Sequence, residues 1–125
     1  MRVFIIIILL PPIMKPTKKE LKQLTSLLLK IGVLEEKEEK FLIRQFHNGE
    51  HEALALLLER NIRFVQYVAK NYENKGVELP DLIAAGTKGL VQAAQNFDES
   101  QDVRFFSYAI WWIRHYIIEE IEKIK

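Results

Sequence analysis

The chain has 125 residues, enough for one modest domain with a single core. It has no cysteine, which excludes disulfides, zinc ribbons and thiol catalysis, and which fits a reducing compartment such as the cytoplasm. Its net charge is only +1, and residues 60–125 carry as many acids as bases, so phosphate neutralisation alone would hold duplex DNA poorly.

Residues 1–14 are read as a unit apart. Val3 to Leu10 is a continuous apolar run behind one arginine, ended by Pro11-Pro12. About 20 apolar residues are needed to span a bilayer, so a membrane role is not expected from this run. It has the length of a signal-peptide core without a small-residue cleavage site. A hydrophobic strand, or a leader ahead of a later start, fits it equally.

Residues 15–34 form a basic amphipathic helix candidate. Thr17 and Glu20 have the spacing of a capping box, Leu21, Leu24, Leu28 and Ile31 make the apolar stripe, and Gly32 can end it. From residue 35 to the end, apolar residues recur at helical rather than alternating spacing, so 35–125 is expected to be one all-α domain. Its first helix runs from Glu35 to Phe46, up to an Asn48-Gly49 turn. The stretch His47-Asn48-Gly49-Glu50-His51 fits the literal H-x-x-E-H zinc signature, but that chemistry needs both histidines on one face of a continuous helix. Asn-Gly at its centre opposes such a helix, so two solvated turn histidines are expected, with no metal, cofactor or small-molecule substrate. No catalytic constellation stands out elsewhere.

A second helix is expected over Glu52 to Tyr72, with Leu54, Leu58, Ile62, Val65, Val68 and Tyr72 inward, broken by Asn74-Lys75-Gly76. Pro80 and Asp81 suit the first turn of a third helix running to about Ala94. It carries Gly86 and Gly89, and interior glycines cost roughly 1 kcal/mol each relative to alanine. Two of them in one turn suggest a close helix crossing with no room for side chains. The last helix holds six of the chain's thirteen aromatics between Phe105 and Tyr116. Phe106, Ile110, Ile113, Ile117, Ile121 and Ile124 follow the spacing of a core stripe, expected to pack on the second helix. Phe105, Tyr108, Trp112 and His115, with Trp111 beside them, make a second row. That row is either buried as well or offered to flat partners such as unpaired bases.

RNIRFVQYVAKNYENKG, LPDLIAAGTKGLVQAAQNFD and RFFSYAIWWIRHYI together resemble region 2 of the bacterial RNA polymerase sigma factors, the primary type in particular. The resemblance covers about Leu54 to Ile121, and Glu35 to Ala53 looks like the end of the preceding sigma region. Residues 1–34 carry no motif of their own. The resemblance implies a non-enzymatic transcription initiation domain with two surfaces. One docks on the coiled coil of the core polymerase β′ clamp, through Asp81, Ala84, Ala85, Thr87 and Val91. The other melts and reads the promoter minus-ten element on its non-template strand. There Tyr108, with Phe97 and Asp98, would hold a flipped adenine, and Asn61 and Ser107 a flipped thymine. Trp111 and Trp112 would wedge the bubble edge, Arg104 and Phe105 would touch the single strand, and His115 would lie toward the upstream duplex.

The departures from the family pattern are specific. Ala84 and Ala85 replace a usual Gln-Glu pair, Gln92, Asn96, Gln101 and Asp102 stand where Lys, Arg or Gly is common, and Glu119 would repel phosphate. Two further readings therefore stay open: a degenerate polymerase-binding or regulatory protein without promoter reading, and a helical interaction or oligomerisation module.

Overall fold

The computed structural model describes residues 35–100 and 103–124, together with Lys19, Lys22, Gln23 and Ser26. Four helices are seen among residues 35–124: α1 Glu36–His47, α2 His51–Lys70, α3 Leu79–Asn96 and α4 Phe105–Glu122. No strand occurs among the described residues, as the all-α reading expects. The leader 1–14 lies outside them. Within 15–34, Lys19, Lys22, Gln23 and Ser26 are helical and exposed, which suits the polar side of the expected amphipathic helix.

Local chemistry sets the boundaries. Three acids in the first turn of α1, Glu36, Glu38 and Glu39, meet the positive end of its dipole, and Arg44 and His47 meet the negative end. Asn48-Gly49 then turns the chain, with Gly49 at φ 98° in the left-handed region. Pro80 and Asp81 occupy the first turn of α3.

The core is built on the pairing of α3 with α4, with α2 laid across α3 and α1 packed on α2. This corrects the expectation that the isoleucine stripe of α4 rests mainly on the second helix: α4 packs chiefly on α3 and touches α2 less. The reason is at Gly89. A Cβ there would stand 2.7 Å from the Ile113 Cα and closer still to the Trp112 carbonyl. Backbone therefore meets backbone at the α3–α4 crossing. At Gly86 a Cβ would meet Val65 Cγ1 at 2.9 Å, Ile113 Cγ2 at 3.2 Å and Ile117 Cδ1 at 3.3 Å, so three helices converge on that position.

The inward stripe of α4 is Ile110, Ile113, Ile117 and Ile121, all buried, while Phe106 is half-buried and Ile124 exposed. On α2 the buried positions are Ala53, Leu57, Asn61, Phe64, Val65, Val68 and Ala69. The expected stripe of Leu54, Leu58, Ile62 and Tyr72 lies about one residue round the helix, half-buried at its flank. Buried alanines and a buried asparagine occupy the true centre, because close helix approach there favours small side chains over large ones.

Gly89→Ala should destabilise the domain by about 1–3 kcal/mol or more, because overpacking against backbone has no flexible side chain to absorb it. Gly86→Ala should cost less than half as much, since methyl ends can shift and alanine regains helix propensity. Urea denaturation midpoints of the two variants check the ranking.

Candidate nucleic-acid interface

The N-terminal half of α4 and the loop before it bring together most of the residues expected to meet DNA. Phe97 closes α3 as its C-cap residue, and its ring lies 5.4 Å from that of Phe105 and 5.6 Å from that of Tyr108. Asp98 follows, its Oδ1 accepting hydrogen bonds from the Ser100 N–H at 3.0 Å and the Ser100 hydroxyl at 2.6 Å, which folds the loop into an Asx turn. Arg104 is the N-cap residue of α4, and its guanidinium carbon lies 5.3 Å from the centroid of the Phe106 ring. Ser107 and Trp112 are half-buried and His115 is exposed.

The rings are less open than the second aromatic row suggested. Phe97, Phe105 and Tyr108 are at most 1% exposed and Trp111 is 5% exposed. Phe97 stands between Tyr108 and solvent: it lines an open recess of about 580 Å³, with His47, Gln95, Asn96, Asp98, Glu99 and Ser100, and Tyr108 does not. In this conformation Tyr108 has no free face for a base. A row of rings starting at a helix N-terminus is more cheaply buried than solvated, and the α3–α4 crossing draws it inward. The Tyr108 hydroxyl and the Trp112 indole N–H are buried without a hydrogen-bond partner of good geometry. Burial raises the Tyr108 pKa, and the neighbouring Trp112 side chain opposes part of that rise.

Asn61 and Ser107 were expected to share a pocket. Asn61 is buried, and its side-chain amide donates to the Leu57 carbonyl of its own helix at 2.8 Å. His115 pairs with Glu119 at 3.5 Å, so the acid thought to repel phosphate lies against the basic group beside it. On α3, Asp81 and Ala84 are exposed and Thr87 and Val91 half-buried, with the Thr87 hydroxyl donating to the Ile83 carbonyl at 2.8 Å. Ala85 does not belong with them. It is buried, about 100° round the helix from Ala84, on the inward stripe with Leu82, Gly86 and Gly89.

Three polar residues of α1, none singled out by the sequence, tie this site together. Glu39 is 2% exposed, and its Oε1 accepts the Phe105 backbone N–H at 2.7 Å. The same carboxylate receives Arg104 Nε and Nη2, each at 3.4 Å. Helix α4 has no acid in its first turn and no cap from its own N-cap residue, so Glu39 supplies both from another helix. Arg44 Nε donates to Glu99 in the loop at 3.0 Å. His47 Nε2 lies 2.8 Å from the Ala94 carbonyl, one of the last carbonyls of α3 that no helical N–H can reach. His47 is thus tied to α3 rather than merely solvated, and as the donor it carries its proton on Nε2. Among the described residues no group of three His, Asp or Glu side chains stands close enough to hold a metal.

The sigma-70 region 2 family model matches residues 57–125. The chain belongs to that family. It is 40% identical over 85 residues to RNA polymerase sigma factor RpoS of Coxiella burnetii, covering 68% of this chain and 24% of the relative. It is 36% identical over 115 residues to RNA polymerase sigma factor SigA of a Bacillus species, covering 90% and 29%. RNA polymerase sigma-C factor of Nostoc is 38% identical over 108 residues, covering 86% and 24%. This sigma region 2 chain therefore spans about a quarter of the length of the curated relatives it matches. The Bacillus match covers more of the chain than residues 35–125 can supply. Sigma likeness thus extends into the amphipathic segment before Glu35, where the sequence alone offered no motif.

Glu39 gives the site a pH signature. Burial raises its pKa above the ordinary glutamate value of 4.5, opposed in turn by the Phe105 N–H bond, the Arg104 hydrogen bond and the Arg104 charge. The folded protein therefore holds this proton more tightly than the unfolded chain. Its contribution to stability is greatest below the ordinary value and is lost as pH rises through the raised folded value. Glu39→Gln keeps an oxygen for the Phe105 N–H and cannot titrate. Relative to wild type, the glutamine variant should gain stability from about pH 4.5 upward and then level off, as read from denaturation midpoints at a series of pH values.

Proposed function

We propose that this chain is the promoter-reading part of a sigma factor, acting in the cytoplasm with core RNA polymerase and promoter DNA. In this reading it docks on the β′ clamp coil and captures flipped non-template bases of the minus-ten element. The observation that carries the reading is the match to sigma-70 region 2 over residues 57–125, which contain the Tyr108, Trp111 and Trp112 set at the start of α4. Melting in this scheme uses binding energy alone. Unstacking a base costs a few kcal/mol, which stacking and base-edge hydrogen bonds in a pocket can offset.

The burial of Tyr108 adds a step. A base can stack on it only after Phe97 moves from the ring, so capture is an exchange of one aromatic for another. Phe97 lies at a helix end beside a short loop, where such a movement disturbs the least backbone. Trp112, half-buried on the next turn, suits the duplex edge, while Arg104 and Phe105 lie toward the single strand.

For docking, the exposed side of α3 offers Asp81 and Ala84, flanked by Thr87 and Val91. Alanine at 84 brings no polar contact where the family usually has one, and a hydrogen bond contributes roughly 0.5–1.5 kcal/mol net. In competition for core polymerase against a housekeeping sigma factor, this chain should lose. Equal or tighter binding would show that position 84 does not face the clamp.

Base reading is tested with a labelled single-stranded minus-ten oligonucleotide bound to the chain in complex with core polymerase. Tyr108→Ala should remove about 1–3 kcal/mol of binding and most of the preference for adenine. A second reading, a polymerase-binding protein that no longer reads bases, is favoured by the enclosure of Tyr108 behind Phe97. It predicts that Tyr108→Ala leaves affinity and base preference unchanged while docking persists.

A further inference from the structure

Glu39 lies outside the residues that the family model matches, yet it meets α4 where the proposed strand contacts begin. Its carboxylate bridges a distance of 65–66 residues along the chain. Two groups are fixed by this one side chain: the backbone N–H that opens α4, and one edge of the Arg104 guanidinium. The Phe106 ring meets the same guanidinium at 5.3 Å. A planar guanidinium held along one edge presents the rest of its fork in a set direction, and less entropy is lost when it meets a second partner. The Arg104 side chain remains about a third exposed, at 32%, while that of Glu39 is 3% exposed. Solvent, and hence a strand, has access to the arginine and not to the acid.

We propose that Glu39 is a positioning residue for DNA binding: it orients Arg104 and the first turn of α4 so that Arg104 meets a phosphate of the single strand. The role deepens the base-reading function above and rests on it. Glu39 touches no DNA itself. A carboxylate at this place could instead act as an internal substitute for phosphate, since helix N-termini attract anions. In that case removing its charge would strengthen binding rather than weaken it.

The test uses the full chain on core polymerase with a labelled single-stranded minus-ten oligonucleotide. Wild type is compared with Glu39→Gln, Arg104→Ala, Arg104→Lys and the Glu39→Gln/Arg104→Ala double variant. Glutamine still accepts from the Phe105 N–H but offers Arg104 no charge. Glu39→Gln and Arg104→Ala should each weaken binding roughly tenfold, the scale of a charged hydrogen bond. The double variant should bind no worse than Arg104→Ala. Each should also flatten the dependence of log affinity on log salt by about 0.7, one phosphate contact on a single strand. That slope is a reading which a purely structural role would leave unmoved. Arg104→Lys keeps the charge and loses the fork, and should also weaken binding; it serves if Glu39→Gln does not fold.

Unchanged or tighter binding by Glu39→Gln overturns the proposal, as does wild-type binding by Arg104→Lys or an additive loss in the double variant. Failure of the wild type to bind the oligonucleotide sinks the base-reading function and this role together. Wild-type binding that depends on Tyr108, with Glu39 indifferent, sinks this role alone.

Discussion

The close approach of α3 to α4 at Gly89 is the constraint on which the rest of the domain depends. With no side chain at that position, the two backbones come into contact, and everything flanking the crossing is set by it. The isoleucines of α4 are drawn onto α3. The rings at the start of α4 fold toward the end of α3, where Phe97 receives them. Gly86, one turn earlier, lets α2 join the same junction through Val65. A helix pair spaced by larger residues would leave Tyr108 and Phe105 further from Phe97 and more open to water.

Around that junction α1 acts as a clasp. Its three polar links reach the last carbonyls of α3, the Asx-turn loop and the first N–H of α4, in that order along its length from His47 back to Glu39. The loop between α3 and α4 is the part of a helical hairpin with fewest contacts of its own. Here it is held at both ends by a helix that lies outside the family-matched residues. Buried polar groups are expensive unless paired, and Glu39 is paired twice.

Much of the fold was legible in the sequence because the signals were local. The Asn48-Gly49 turn, the Pro80-Asp81 start and the two glycines each state a geometric need that neighbouring residues do not alter. The inward face of α2 was harder to read. Leu54, Leu58 and Ile62 are its largest apolar residues, and a pattern reading follows size. The centre of the face holds Ala53 and Asn61, small or polar residues that are buried because the helices come close. Ala85 was misplaced for the same reason: its burial depends on the crossing. The site was legible in its membership, since Phe97, Arg104, Phe105 and Tyr108 do gather, but not in its openness. Glu39, Arg44 and His47 were invisible, because nothing along the chain says which of several acids and bases on α1 will meet a helix end more than forty residues away.

The span of the Glu39 contact carries a kinetic consequence. The α3–α4 hairpin is joined by a short connection and can form early, since little chain must be ordered before its contacts accumulate. Closing α1 onto α4 ties a far longer loop, and loop-closure entropy delays it until the hairpin exists to receive it. Interactions made after the folding barrier govern how fast a protein opens rather than how fast it forms. The Glu39 bridge would therefore act as a latch on unfolding: the domain assembles at a rate set by its glycines and stays assembled for a time set by one buried carboxylate.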